Sequence, residues 1–287
     1  KFDLIIASSF PYDHIIPAFL ASQKFNIPFM VLPHIHSEFL YHNFTAHKLS
    51  ILSNTDAIVV NTEYEKSQLL QFDISSKKIF VNPPGINVTL DNKKLFNVRK
   101  KFNINLNSLL LLFAGSKSYD KGSIFLIDAI EKLIEKNSLV DVIFIGPTND
   151  EFSTYLSNKP KHVQKHIFDL GLVSDDEKNS IFNTCDVFVM PSRSESFGLV
   201  YLEAWLHKKP VIGCKIGPVM NLIDDDKNGI LVSFGDISEL ISALEILQNS
   251  ALRKQFGDDG YQKLSNNFNS EKLCKTFENI CLSMSNH

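Results

Sequence analysis

The sequence predicts an α/β protein with two Rossmann-like domains, each a parallel sheet with helices on both faces, the first domain incomplete. Three observations predict it. Short buried apolar runs alternate with segments of helical spacing along the whole chain, the pattern of successive βαβ units. The segment Asn82-Pro-Pro-Gly-Ile-Asn87 is a rigid turn that separates two such series. At 287 residues the chain has room for two domains of ordinary size. It opens on the apolar run Lys1 to Ala7 with no initiating Met, so it enters a domain part-way, and an upstream portion is expected. The expected divisions are 1–87, a partial N-terminal domain; 88–268, a second domain; and 269–287, a final helix that packs back on the first.

In chain order, Leu4–Ala7 is the first strand and His14–Lys24 a helix with one apolar face. Pro28–Leu32 is a strand that ends in Pro33-His-Ile-His-Ser-Glu38, a polar loop at a C-terminal strand end, where ligands sit in open α/β sheets. His34 and His36 are therefore candidates, weighed against ordinary loop histidines that bond locally. Phe39–Asn54 reads as a helix, Ala57–Val60 as a strand, Asn61-Thr-Glu63 as the start of a helix through Leu70 and Lys78–Val81 as a strand. Beyond the turn, Asp91–Phe102 has helical spacing, and its basic residues Lys93, Lys94, Arg99, Lys100 and Lys101 read as a solvated face. Ser108–Ala114 is a strongly apolar strand, followed by Gly115 to Gly122 and an amphipathic helix, Ser123–Lys136. Further strands are expected at Val140–Ile145, Ile167–Phe168, Val187–Met190, Pro210–Gly213 and Asn228–Val232. Glu151–His166 and Asp175–Thr184 read as helices. Three helices close the chain: Ile237–Asn249, Ala251–Phe268 with a break near Gly257 to Gly260, and Glu271–Met284.

Bulk composition excludes several classes. A net charge of −3 gives no general attraction to nucleic acid, and no apolar run is long enough to span a membrane. Cys185, Cys214, Cys274 and Cys281 have neither C-x-x-C spacing nor the look of a disulfide framework, so no metal site is expected and a reducing cytoplasmic setting fits. Peripheral contact with the inner membrane face stays open.

The most informative stretch is Met190-Pro-Ser-Arg-Ser-Glu-Ser-Phe-Gly-Leu-Val-Tyr-Leu-Glu-Ala204. It reads as strand end, short polar loop and helix, with Glu195 in the loop and Glu203 in the helix. Backbone N–H groups at a helix start suit an anion, and carboxylates suit sugar hydroxyls, so a nucleotide-sugar site is the first expectation. Gly115 after a strand lets a ligand approach the backbone, and Lys121 precedes a helix start that would neutralise a diphosphate. This is not a P-loop, since G-x-x-x-x-G-K-[S/T] is absent. Plainer alternatives stand beside each reading: a solvated loop lysine for Lys121, a solvated loop carboxylate for Glu195 and a helix-dipole carboxylate for Glu203.

Taken together these segments resemble the GT-B-fold, retaining glycosyltransferases of group 1, or family 4. Glu195 and Glu203 match the family's E-x7-E motif, Gly115 with Lys121-Gly122 its Gly…Lys-Gly diphosphate loop, and Gly171-Leu-Val173 the segment lining the base pocket. Pro210–Gly213, Asn228–Val232 and Asp236 match the tail of the domain. The resemblance implies a nucleoside diphosphate sugar as donor, a hydroxyl acceptor on a glycan, lipid-linked or small molecule, and no separate cofactor or metal. It places Glu195 at the sugar, Glu203 at the ribose, and Phe197, Gly198 and Leu199 at the sugar and phosphates. Gly171 and Leu172 would lie at the base, with Lys121 at the leaving diphosphate and His34 orienting the sugar against the acceptor. Where the family usually has a basic residue after the loop's first glycine, this chain has Ser116 and then Lys117, so Lys117 is the expected substitute on the donor. Pro218 replaces the second Gly of a Gly-Gly turn, and Asn221 stands where many members have Glu. The family's first strands and acceptor-side Gly-rich loop have no counterpart in the chain. Two other functions remain: a nucleotide-sugar epimerase of similar fold, which would need no acceptor, and a non-catalytic nucleotide-sugar-binding fragment.

Overall fold

The structure, a computed structural model, describes residues 2–35, 44–89 and 95–285. The chain forms two compact units. One comprises Lys1–Asn87, Ser194–Gly198 and Phe268–His287; the other comprises Val88–Arg193 and Leu199–Asn267.

The first unit holds a parallel sheet of β1 (Ile5–Ser8), β2 (Phe29–Leu32), β3 (Ala57–Val60) and β4 (Ile79–Val81), in that spatial order. Successive strand residues face opposite sides of the sheet. Phe29, Val31, Ile58 and Val60 join a core with Ile15, Ile51, Leu52 and Leu69 of the helices Ile15–Phe25, Ala46–Ser53 and Glu63–Leu70. Met30, Ala57 and Val59 meet Phe277 and Ile280 of the C-terminal helix Ser270–Ser285 on the other face. Both faces are covered, which is why these strands read as unbroken apolar runs rather than alternating ones.

In the second unit the strands β5 (Leu109–Ala114), β6 (Val140–Ile145), β7 (Ile167–Asp169), β8 (Val187–Val189), β9 (Val211–Cys214) and β10 (Gly229–Val232) lie in the order β10-β9-β8-β5-β6-β7. Every pairing is parallel. From β5 the chain first builds outward through β6 and β7, then returns to place β8 on the other side of β5. The crevice beyond the C-terminal ends of β5 and β8 is therefore a topological switch point, the ligand position of doubly wound sheets.

Each of the ten strands lies within one residue, at either end, of its expected span. The helices differ more. The helix expected over Phe39–Asn54 is, among the described residues, Ala46–Ser53, capped by Thr45, whose Oγ1 accepts from Lys48 N at 3.4 Å. Of the helix expected over Asp91–Phe102, residues 91–94, with Lys93 and Lys94, lie outside the described residues, and only Val98–Lys101 is helical. Asn97 starts that turn by accepting from Lys100 N at 2.9 Å. The helix expected over Glu151–His166 is two, Asp150–Ser157 and Lys161–Gln164, divided before Pro160, which has no N–H to continue the first.

The expected break at Gly257 to Gly260 is absent: Ser250–Asn267 is one continuous helix. These glycines permit close packing. A Cβ on Gly260 would lie 2.2 Å from the Trp205 ring, and one on Gly257 would lie 1.9 Å from Lys208 O. Gly in a helix interior costs about 1 kcal/mol against Ala, and here fully buried Trp205 occupies the space it leaves. Among the described residues, no helix is long and apolar enough to cross a membrane.

Candidate active site

The second unit's candidate residues stand on the loops that leave its strands at the switch point. Gly146, at φ 115°, closes β6 so tightly against the loop after β5 that a Cβ there would lie 2.3 Å from Gly115 O. Gly146 N in turn donates to Gly171 O at 2.7 Å, tying in the loop after β7. Three consecutive loops thus form one row of backbone. Gly122, at φ 77°, lets the start of the helix Ser123–Glu135 meet the loop after β8, where a Cβ would lie 2.3 Å from Pro191 O. Arg193 completes that join. Its N–H donates to Asp120 O at 2.9 Å, its guanidinium pairs with the Asp120 carboxylate at 2.7 Å, and it lies over the rings of Tyr119 and Phe234.

The loop row borders a cavity of about 330 Å³. Gly115, Gly146, Leu172 and Val173 line it together with Lys178, Leu199, Val200 and Glu203. The resemblance assigned Gly115, Leu172, Leu199 and Glu203 to the donor, and the structure brings these four to one cavity. Gly171 adjoins it in the backbone row. Glu203 lies in the second turn of Leu199–Leu206, so a first-turn dipole role does not explain it. Its Oε1 accepts from Lys178 Nζ at 2.5 Å, with both side chains about one-third exposed. Lys178 is a site residue that sequence reasoning missed. It sits in Asp175-Asp-Glu-Lys178 and reads as an ordinary solvated helix lysine.

Lys121 is half-buried at the approach to the helix Ser123–Glu135, and its backbone N–H donates to Ser118 O at 3.2 Å. Lys117 departs from its expected role. Its side chain is wholly buried, and its ammonium is bound by Gly146 O at 2.5 Å, Thr148 Oγ1 at 2.8 Å and Asp169 Oδ1 at 2.8 Å. An ammonium has three protons, and three acceptors use them. Lys117 fastens the loop row from beneath and has no donor left for a phosphate, so the expected donor contact is corrected to a structural one.

In the first unit the segment Ser194–Gly198 carries Glu195. The expected contiguous division 88–268 is thus interrupted by five residues that group with the other unit. Glu195 is only 8% exposed, which removes the solvated-loop reading. Phe197 is buried and meets Phe268 edge-on with ring centroids 5.7 Å apart. Gly198 follows at φ 97°.

His34 stands two residues beyond β2 in left-handed backbone, φ 50°, which costs a residue with a Cβ about 1 kcal/mol or more. Its Nδ1 lies 3.1 Å from Asn61 Nδ2, at the end of β3. Beneath this pair is Glu65, 2% exposed, whose Oε1 accepts from Ile35 N at 2.8 Å and whose Oε2 accepts from Asn61 N at 2.7 Å. Burial pushes the Glu65 carboxyl up to about 7, against the lowering effect of these two hydrogen bonds. Asn61 and Glu65 were also missed, because Asn61-Thr-Glu-Tyr-Glu65 reads as an ordinary capped helix start. His34 and Asn61 line a second cavity, of about 300 Å³, with Asn82, Pro84, Leu273 and Phe277. His36 lies outside the described residues.

Comparison with known proteins identifies the family and the fold. The family described as "Glycosyl transferases group 1" matches residues 96–263, and "Glycosyltransferase Family 4" matches residues 1–90. Among solved structures, that of Anabaena Alr3699/HepE in complex with UDP and glucose superposes with a TM-score of 0.81 at 20% identity, covering 98% of this chain and 78% of that one. A structure of trehalose-6-phosphate synthase gives 0.81 at 16% identity, covering 99% and 74%. The architecture is therefore the two-sheet GT-B fold. The chain belongs to the group 1 glycosyl transferases. D-inositol 3-phosphate glycosyltransferase of Corynebacterium diphtheriae is 28% identical over 219 residues, covering 72% of this chain and 51% of that protein. O-antigen chain mannosyltransferase C of Escherichia coli is 25% identical over 236 residues, covering 80% and 61%. An uncharacterized glycosyltransferase of Methanocaldococcus jannaschii, MJ1178, is 29% identical over 221 residues. The chain spans about half the length of the curated relatives it matches, 57%, 48% and 51% for three of them.

Proposed function

We propose that this protein is a retaining glycosyltransferase that moves a hexose-type sugar from a nucleoside diphosphate sugar to a hydroxyl acceptor in the cytoplasm. The observation that carries this reading is the switch-point cavity, lined by Gly115 and Gly146 of the loop row and by the Glu203–Lys178 pair. Family membership supports it, as do relatives whose names record transfer to an inositol phosphate and of mannose. Glu203, held by Lys178 through one oxygen, keeps a second as an acceptor for the ribose hydroxyls. Gly171 and Leu172 border the base. Lys121 and the N–H groups opening the helix Ser123–Glu135 take the diphosphate, Gly115 lets it approach, and Glu195 with Phe197, Gly198 and Leu199 serves the sugar.

In the reaction the bond from the anomeric carbon to the diphosphate oxygen breaks. The acceptor oxygen bonds that carbon on the same face, and its proton passes to the departing phosphate oxygen. Charge develops on the diphosphate, where Lys121 and the helix start stabilise it, so the step as written needs neither a metal ion nor a covalent enzyme nucleophile.

A thermal-shift panel of nucleoside diphosphate sugars tests the donor half. One base series should stabilise the protein by about 2.7 kcal/mol at a concentration one hundred times its Kd, and Glu203→Ala should remove the effect. No stabilisation by any of them would sink the reading. In the intact protein, retained anomeric configuration in the product separates this from an inverting transferase, and product formed without acceptor would indicate an epimerase.

A further inference from the structure

His34 is held from two sides. Its main chain is in left-handed backbone immediately before Ile35, whose N–H donates to Glu65 Oε1 at 2.8 Å. Its ring nitrogen Nδ1 meets the Asn61 amide at 3.1 Å, and Asn61 N–H donates to the other oxygen of the same carboxylate at 2.7 Å. Glu65 is itself fixed at the start of its helix, where its N–H donates to Thr62 Oγ1 at 3.0 Å. One buried carboxylate thus spans the loops after β2 and β3 and sets the distance between the two side chains they carry. An amide NH2 group is only a donor, so Nδ1 must be its acceptor, and a neutral imidazole then carries its proton on Nε2.

We propose that Asn61 and Glu65 are positioning residues that hold His34 as a neutral, Nε2-protonated hydrogen-bond donor. Glu65 fixes the two loops, and Asn61 fixes the tautomer. The consequence for chemistry rests on the transferase reading: His34 presents an N–H to a hydroxyl of the transferred sugar, in a geometry settled before the sugar arrives. Such preorganisation acts on turnover more than on nucleotide affinity, because the nucleotide is bound by residues of the other unit.

Imidazole nitrogen NMR on protein labelled with 15N-histidine tests the proposal, with the His34 signals assigned by their loss in His34→Asn. In the unsubstituted protein, two-bond proton–nitrogen correlations should show His34 protonated on Nε2 and not on Nδ1. Asn61→Asp replaces the donor by an acceptor and should move a proton onto Nδ1; Asn61→Ser, a smaller change, should yield a mixture of tautomers. Glu65→Gln keeps one acceptor of two and should split or broaden the His34 signals. A His34 protonated on Nδ1 in the unsubstituted protein, or a pattern unchanged by Asn61→Asp, overturns the proposal, and signals unchanged by Glu65→Gln remove Glu65 from it. For the intact protein, Asn61→Asp should lower kcat for sugar transfer by roughly tenfold to a hundredfold with little change in KM for the donor. An inverted tautomer with unchanged kcat overturns the positioning role. If the unsubstituted protein transfers no sugar, the transferase reading fails, while the NMR result still decides the tautomer.

Discussion

In the second unit, the loops after β5, β6 and β7 are held backbone to backbone. Gly146 lies against Gly115, Gly146 N–H donates to Gly171 O, and Gly122 lies against Pro191. In the first unit, the loops after β2 and β3 are held by one buried carboxylate, Glu65, gripping Ile35 N and Asn61 N. Both arrangements fix polar groups at the C-terminal edge of a parallel sheet. The first kind depends on the absence of side chains at its glycines, with the buried Lys117 ammonium fastening the row from beneath. The second depends on a group whose protonation changes near neutral pH. The difference teaches that loops at a sheet edge can be joined by close backbone packing or by one buried carboxylate, and that the carboxylate ties the second kind to the pH near neutrality.

The largest effect should come from breaking the geometric side. Gly122→Ala must place a Cβ 2.3 Å from Pro191 O in left-handed backbone. A loss of about 4 kcal/mol is expected in denaturant unfolding, equal at pH 5 and pH 8; a loss below 1 kcal/mol would show that the loops can slide apart. Next is Lys117→Met, which keeps the bulk of the side chain and removes the ammonium that Asp169 and Gly146 O share. About 3 to 4 kcal/mol is expected, towards the lower end for a broken buried pair because Asp169 is 24% exposed. Nucleotide affinity measured below the unfolding temperature should fall little if Lys117 is a fastener only, and a loss as large as that of Glu203→Ala would return it to the donor.

The pH dependence sharpens the charged side. Glu65 in the folded protein titrates about 7, above its ordinary 4.5. Between those values the folded state holds a proton that the unfolded chain has released, so stability falls as pH rises from 4.5 to 7 and then levels. Relative to Glu65→Gln, the unsubstituted protein should gain about 3 kcal/mol as the pH is lowered across that window. Parallel stability curves for the two proteins would remove charge as the distinguishing feature of the first unit. The smallest effect belongs to Lys178→Met. Its partly exposed pair with Glu203 contributes less than about 1 kcal/mol to folding, yet its loss should weaken nucleotide binding in calorimetry. Unchanged binding would mean that Glu203 needs no partner to hold its orientation.

How much of this was legible in the sequence follows from the reach of each interaction. The strands were, because an apolar run buried on both faces is a local signal. Spacing and motif singled out Glu203, Gly115 and Gly171, but not Gly146, whose close contact with Gly115 appears only in the fold. Glu65, Lys178 and the true role of Lys117 were not legible. Glu65 meets Ile35 across 30 residues, Lys178 meets Glu203 across 25, and Lys117 Nζ reaches Thr148 across 31. Nothing in Glu63-Tyr-Glu-Lys66 or Asp175-Asp-Glu-Lys178 distinguishes a gripping side chain from a solvated one; burial decides, and burial is a property of the fold. The glycines at 257 and 260 misled for the converse reason. Helix propensity argues for a break, but the Lys208 backbone and the Trp205 ring, about fifty residues earlier, occupy the spaces that Gly257 and Gly260 leave.

The chain leaves the second unit after Arg193 and re-enters it at Leu199. For recombination between relatives this matters more than the turn at Asn82 to Asn87. A crossover placed after Asn87 and again after Asn267 imports Ser194–Gly198 from one parent and Phe268 from the other, so Phe197 must find a ring it did not evolve beside. A hybrid that exchanges the whole second unit therefore has to be cut at four places rather than two, with the five residues around Glu195 travelling with the unit that they group with.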